Sequence, residues 1–312
     1  MNRSEIDSAA RRFRAGYSHF LHETPLWKLP GAAFGLGCAE VWLKLEHLQA
    51  SGSFKARGML NRLLSQSIPA SGVIVASGGN AGIATAAAAR ALGVPCEVFV
   101  PTVSSPAKQA RLRELGAEVV VTGAAYADAL DACLARQQQT GALLTHAYDQ
   151  PEVVTGAGTL AQEIEAQGGV PDAVLVSVGG GGLIAGIASW FEDRARVVAL
   201  EPELAPTLHR AREAGAPVDV QVGGVAADSL GARRIGAIAW EVTQRHVRDA
   251  LLLPDPAIVE AQRALWRDWK LAVEPAAALP PAALTTGAFV PRARDKVCLV
   301  ICGANVDPAT LK

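Results

Sequence analysis

No charge of one sign dominates this sequence, and no uninterrupted apolar run in it is long enough to span a bilayer. Its 29 lysines and arginines are balanced by 30 aspartates and glutamates over 312 residues. A near-neutral chain with both signs interspersed offers no electrostatic footprint for nucleic acid or an anionic membrane, so a small molecule is the expected partner. The uncharged stretch from Ala173 to Phe191 approaches spanning length, but four consecutive glycines in its middle break any continuous helix, and it reads as strand, loop, helix. Cysteine is sparse. Cys38, Cys96, Cys133, Cys298 and Cys302 form no CxxC pair and have no histidine cluster beside them, which argues against a zinc site and for reduced, buried thiols. The amino terminus, MNRSEIDSAARRFRAG, is charged throughout and lacks the apolar segment of a signal peptide, so a cytoplasmic location is expected.

What the sequence does contain is alternation. GVIVAS, CEVFVP and AEVVVTG alternate with ATAAAARALG, PAKQARLRELG and YADALDACLARQQQ, a βαβαβα order whose strands are apolar on both faces, as in parallel sheets covered by helices. A second series follows in DAVLVSV, LIAGIASWF, RVVALEP and KVCLVICG. The fold class is therefore α/β, with two open, mainly parallel twisted sheets and a cleft between them where the strand carboxyl ends gather ligands. The expected division is a large domain of residues 1–45 and 144–312 and a small domain of residues 46–143.

Three loops carry chemistry. In EHLQASGSFKARGM, residues 46 to 59, Lys55 opens a helix after a glycine turn, where the helix terminus already supplies positive partial charge. Disfavouring the ammonium lowers its pKa and frees the amine as a nucleophile suited to Schiff-base chemistry, though a lysine on such a loop can also simply face solvent. In VSVGGGGL, Gly179, Gly180, Gly181 and Gly182 follow a strand and open a helix, a cradle of bare amides that fits a phosphate; the alternative is a tight turn needed for packing. There is no GxxxxGK[ST], and the spacing is not that of GxGxxG, so a monophosphate fits better than a nucleotide. In ASGGNAG, Ser77, Gly78, Gly79, Asn80 and Ala81 form a second strand-to-helix loop, able either to cap the helix or to hold a carboxylate. A reactive lysine, a monophosphate cradle and a carboxylate loop together point to pyridoxal 5'-phosphate acting on a small amino acid.

The same segments, in this order, resemble the fold-type-II pyridoxal-phosphate enzymes of the serine/threonine dehydratase family. The likeness runs through Thr24-Pro25-Leu26, KLEHLQASGSFKARG, SGGNAG, GAGTLAQEI at 156 to 164, VGGGGL, AVEPAAA at 272 to 278 and ICGAN. It implies that Lys55 carries the cofactor, that Phe54 packs beside its ring, that Asn80 bonds the ring hydroxyl and that Gly179 to Gly182 hold its phosphate. Ser77 and the amides of Gly78 to Ala81 would hold the substrate carboxylate. Cys302 would face the pyridine nitrogen, where most of the family carries serine; otherwise it is a buried strand-end thiol, and Ala304 replaces the family's usual glycine nearby. Glu201, Ala205 and Thr207 fall where relatives surround a cation, and a threonine in place of an acidic residue favours a monovalent ion such as potassium; Glu201 can also be a simple salt-bridge partner.

The activity implied is dehydration of L-threonine or L-serine to a 2-oxo acid and ammonia. Lyases for 3-hydroxyaspartate or phenylserine, a serine racemase and a non-catalytic cofactor-binding protein are the alternatives. The racemases place serine where this chain has Gly78, which leaves no side chain there to serve the second face of the substrate. A homodimer is the family's expected assembly.

Overall fold

The computed structural model describes residues 1–311. Helix α1 (Arg3–Arg14) opens with a capping box between Asn2 and Glu5 and is followed by strands β1 (Leu26–Pro30) and β2 (Glu40–Lys44). The first alternating series comprises α2 (Lys55–Leu64), β3 (Val73–Ala76), α3 (Asn80–Leu92), β4 (Cys96–Val100), α4 (Pro106–Glu114), β5 (Glu118–Val121), α5 (Tyr126–Thr140) and β6 (Leu143–Leu144). Then come α6 (Pro151–Gly168), β7 (Ala173–Ser177), α7 (Gly182–Phe191), β8 (Arg196–Pro202), α8 (Thr207–Ala214), α9 (Ala237–His246), β9 (Val247–Leu253), α10 (Asp255–Trp269), α11 (Pro275–Thr285) and β10 (Lys296–Val300).

Two sheets result, as the alternation predicts. One has the order β1-β2-β10-β7-β8-β9, parallel except where β1 runs antiparallel to β2 at its edge; the other is parallel throughout, in the order β5-β4-β3-β6. Leu144 pairs with Ile74 in the smaller sheet. The interior strands β3 and β7 are buried at every residue because helices cover both faces, which is why their sequences show no alternation. Helix α3 stops at Gly93, whose left-handed backbone lets its amide close on Ala89 and Arg90. All five cysteines are free and buried. Among the described residues no helix is long and apolar enough to cross a membrane.

Helix α6 sets the spacing of the helices that lead into the cleft. It crosses α2 where glycines allow backbone against backbone: a Cβ at Gly156 would lie 2.5 Å from the Arg57 carbonyl oxygen, and one at Gly58 would lie 2.7 Å from that of Val153. Two residues further along α6, a Cβ at Gly158 would stand 3.0 Å from the Gly186 carbonyl oxygen in α7. Overfilling such a contact typically costs about 1–3 kcal/mol. Gly156→Ala is therefore expected to lower stability by about that amount, measured as a shift in the urea midpoint; an unchanged midpoint would mean the crossing is looser than described.

Candidate active site

Lys55 is the first residue of α2, and the helix start is held from outside, because Phe54 offers no side-chain cap. The Phe54 amide donates to the Cys302 carbonyl at 3.0 Å, and Ser53 forms an isolated bridge with Gly303. The segments GSFK and ICGAN thus meet where β10 ends. Lys55 Nζ donates to the Ala147 carbonyl at 2.6 Å and stands 5.1 Å from the centre of the Phe54 ring. Its pKa is pushed down to about 8, chiefly by burial, against which Glu274 and Cys302 act in the opposite sense. The lowered pKa fits the reading from sequence, but burial takes the leading part there assigned to the helix terminus.

The glycine cradle follows β7. Gly181 has φ +85°, a backbone open to glycine, and α7 begins immediately after it, presenting free amides at its positive end. A side chain at Gly180 would overlap the Tyr148 ring, and a Cβ at Gly182 would come within 2.8 Å of the Tyr148 carbonyl oxygen. Bare amides, a helix terminus and an adjacent half-buried lysine are the donor set that a phosphate-bearing aldehyde requires, so the residues fit pyridoxal phosphate.

One cavity gathers Phe54, Lys55, Asn80, Gly179 to Gly182 and Cys302. Cys302 is 2 % exposed, and burial holds its thiol pKa well above the ordinary value, with Glu274 adding to the rise. Of the ASGGNAG loop, Asn80 reaches the cavity wall. Ser77 accepts from the Gly79 amide at 3.4 Å, Ala81 is buried, and a Cβ at Gly78 would point at Ser104 Oγ and Val100 Cγ1, 2.9 and 3.3 Å away. Glu201, Ala205 and Thr207 lie behind the cradle. The Thr207 hydroxyl is 2.6 Å from the Gly179 carbonyl and 3.0 Å from Glu201 Oε1, while the Leu208 and His209 amides donate to the buried Glu201 carboxyl. Burial raises the Glu201 pKa to about 7 despite those bonds. Among the described residues no group of three or more histidine, cysteine or acidic side chains is arranged around a metal.

Several residues in this site have no role assigned from the sequence, although Glu274 and Asn305 lie within the AVEPAAA and ICGAN segments. Glu274 lines the cavity, and both of its oxygens accept from Asn80 Nδ2, at 3.0 and 2.9 Å. Burial lifts its pKa to about 7. Asn305 Nδ2 completes the chain by donating to Asn80 Oδ1 at 2.7 Å. Tyr148 belongs to the turn His146-Ala147-Tyr148-Asp149, whose Asp149 carboxylate accepts from the first amides of α9 at 2.9 and 3.0 Å. Ser177 has a different part. Pro280 lies inside α11 and cannot donate to the Ala276 carbonyl one turn back, and Ser177 Oγ takes that place at 2.6 Å. The alanine- and proline-rich segment AAALPPAAL, residues 276–284, is therefore a buried helix with one backbone bond replaced at the cavity wall. A wider, open groove between α8 and residues 218–223 carries Glu203, Arg210, Glu213 and Asp219 but neither a lysine nor a glycine cradle.

This is a site for a lysine-bound, phosphate-anchored cofactor. The chain belongs to the pyridoxal-phosphate dependent enzymes, whose family model matches residues 17–303, and within them to the fold-type-II serine/threonine dehydratase group; its cofactor is pyridoxal 5'-phosphate. It is 36 % identical to phenylserine dehydratase of Ralstonia pickettii over 314 residues, spanning 97 % of this chain and 94 % of that protein. It is 37 % identical to L-threonine ammonia-lyase of Geobacter sulfurreducens over 278 residues, 87 % of this chain and 68 % of that one. The crystal structure of a T.th. threonine deaminase superposes with a TM-score of 0.90 at 35 % identity, over 98 % of this chain and 99 % of that chain.

The Lys55 pKa sets a pH dependence. The neutral amine is the nucleophile, and a pKa brought down from 10.5 to about 8 makes that form half-populated near pH 8. Below that, reactivity falls about tenfold per pH unit; above it, reactivity levels off. Reductive methylation of the cofactor-free chain, followed at Lys55 by mass spectrometry, is expected to show this midpoint. A midpoint near 10.5 would mean that the amine is hydrated.

Proposed function

We propose that this protein is a pyridoxal-phosphate-dependent dehydratase that converts L-threonine or L-serine to the corresponding 2-oxo acid and ammonia. The observation that carries the reading is the convergence on one cavity of the buried Lys55 amine, the Gly179 to Gly182 cradle and Asn80 at the head of α3. Bound pyridoxal phosphate supplies an electron sink for the pair left behind when the α-proton departs. The cradle amides would hold its phosphate, Asn80 would bond its ring hydroxyl and Phe54 would pack beside its ring. Ser77 and the amides of Gly78 to Ala81 hold the substrate carboxylate, so that the α-proton faces Lys55, which removes it. Cys302, kept neutral by burial, would face the ring nitrogen without charging it. Residues 1–45 with 144–312, and residues 46–143, act as the two lobes that enclose the substrate. Glu201, Ala205 and Thr207 serve a potassium ion behind the cradle; the support for this is a buried carboxyl answered by amides and a hydroxyl.

A second reading has a specific observation in its favour. A relative alike over almost the full length of both chains is a phenylserine dehydratase, and Tyr148 places an aromatic ring at the cavity wall. Release of 2-oxo acid from L-threonine, L-serine, 3-hydroxyaspartate and phenylserine, compared as kcat/KM, separates the readings. A colourless purified protein inactive on all four would refute both.

Lys55→Ala is expected to abolish the visible absorbance of bound cofactor and reduce 2-oxo acid release to background while the chain stays folded, since a methyl group cannot act as a nucleophile. Ordinary turnover by that variant would overturn the assignment. The thermal midpoint is expected to rise in potassium relative to a bulky organic cation at equal ionic strength, through binding to the folded state alone. Equal midpoints would remove the ion from the reading.

A further inference from the structure

Three segments of the sequence lie outside the cavity lining: Thr24 and its neighbours, Lys44 with Glu46, and the α6 run from Gly156 to Ile164. In the structure they meet in a single ionic cluster behind Lys55. Arg57 is fully buried and forks onto Glu46, Nε to Oε2 and Nη2 to Oε1, both at 2.7 Å. It also bonds Glu163 at 2.6 and 2.8 Å and Thr159 Oγ1 at 3.2 Å. Lys44 Nζ, likewise fully buried, bonds Glu163 Oε2 and the Thr24 carbonyl at 2.7 Å and Gln167 Oε1 at 3.1 Å. The Thr24 hydroxyl donates to Glu46. Two cations face two anions, so the cluster is neutral. Burial opposes the Arg57 charge, and Glu46 and Glu163 overcome it, so the guanidinium pKa is pushed upward; Arg57 and Lys44 in turn hold Glu163 below the usual carboxylate range despite its burial.

We infer that Glu46, Arg57 and Glu163 are positioning residues that fix Lys55 in the cavity by clamping the first turn of α2 to the large sheet and to α6. Residues two apart on a helix point about 200° apart, so Arg57 reaches into the cluster while Lys55 reaches into the cavity on the opposite side. Helix α2 begins without a side-chain cap, and a buried ion cluster stabilises a fold little better than apolar groups of the same volume. What its directional bonds add is a fixed rotation and axial position of the helix, and through them the place of the amine. Glu46 follows β2, whose Lys44 carbonyl accepts from the Ile301 amide, so the same clamp registers Lys55 against Cys302. Asn61, one turn beyond Arg57, continues the attachment by donating to the Glu152 carbonyl and Thr155 of α6.

The inference refines the proposed function, and the test separates the two. The double variant Glu46→Gln with Arg57→Met removes one charge of each sign and leaves Lys44 paired with Glu163. It is expected to unfold near the parent's temperature, while in the cofactor-free chain the midpoint for methylation of Lys55 moves toward that of a free lysine and reactivity at pH 8 falls about tenfold or more. With cofactor and substrate, kcat is expected to fall about 100-fold, as for a misplaced reacting group, with KM changed far less. A folded double variant with the parent's methylation profile and kcat would overturn the inference. Should the double variant not fold, Arg57→Lys keeps the charge and loses the fork; a folded Arg57→Lys with an unshifted Lys55 profile would overturn it equally. The methylation readout needs no catalysis. A parent chain inactive on every substrate would therefore refute the proposed function while leaving the positioning test intact.

Discussion

A lysine serves as a nucleophile near neutral pH only where its surroundings refuse it a charge, and the rest of this structure answers to that condition. Water must be kept from the Lys55 amine, yet the carbonyl of Ala147 and the carboxyl of Glu274 must stay near enough to accept its hydrogen bonds or balance its charge. Burial alone would also neutralise Glu274, whose pKa rises to about 7 beside an amine lowered to about 8. An interior of this kind needs rigid walls, which here are helix starts and strand ends rather than free loops.

Those walls explain what was legible in the sequence. Lys55, the four glycines and Asn80 could be placed at one cavity because their chemistry is local: a strand, a turn and a helix start lie close together along the chain, and the amides at that junction point outward from the strand end whatever the distant chain does. The parallel sheets were readable for a similar reason, since strands covered on both faces must be apolar at every position. Tyr148 was not readable, and Glu274, though inside the AVEPAAA segment, was given no role. Each reaches the cavity through contacts across long stretches of chain, Tyr148 by lying over Gly180 and Glu274 by its bond to Asn80, so the neighbouring sequence does not say what either side chain touches. Helix α11 was obscured by its two prolines, because the compensating donor, Ser177, is almost a hundred residues earlier.

The ionic cluster shows why the chain as a whole looks electrically unremarkable while its interior is not. Lys44, Glu46 and Arg57 are wholly buried, and with Glu163 they cancel. A formal net charge of −1 therefore says nothing of where the charges are. Fully satisfied, such a network restricts the ways in which β2, α2 and α6 can meet; with one member removed it would leave an unpaired charge in the interior.

At the crossings of α6 with α2 and α7 glycine α-carbons stand against carbonyl oxygens, with the side chains of Val153, Asn61 and Ile6 packed beside them. Side chains come in many sizes, but the peptide unit comes in one. The separation between the lysine-bearing helix and the cradle helix is thus tied to a covalent length standard that does not change as the sequence drifts. The outward faces of all three helices can vary in volume over generations while the span from amine to phosphate site stays constant, and a shape-matched cofactor of fixed length continues to fit.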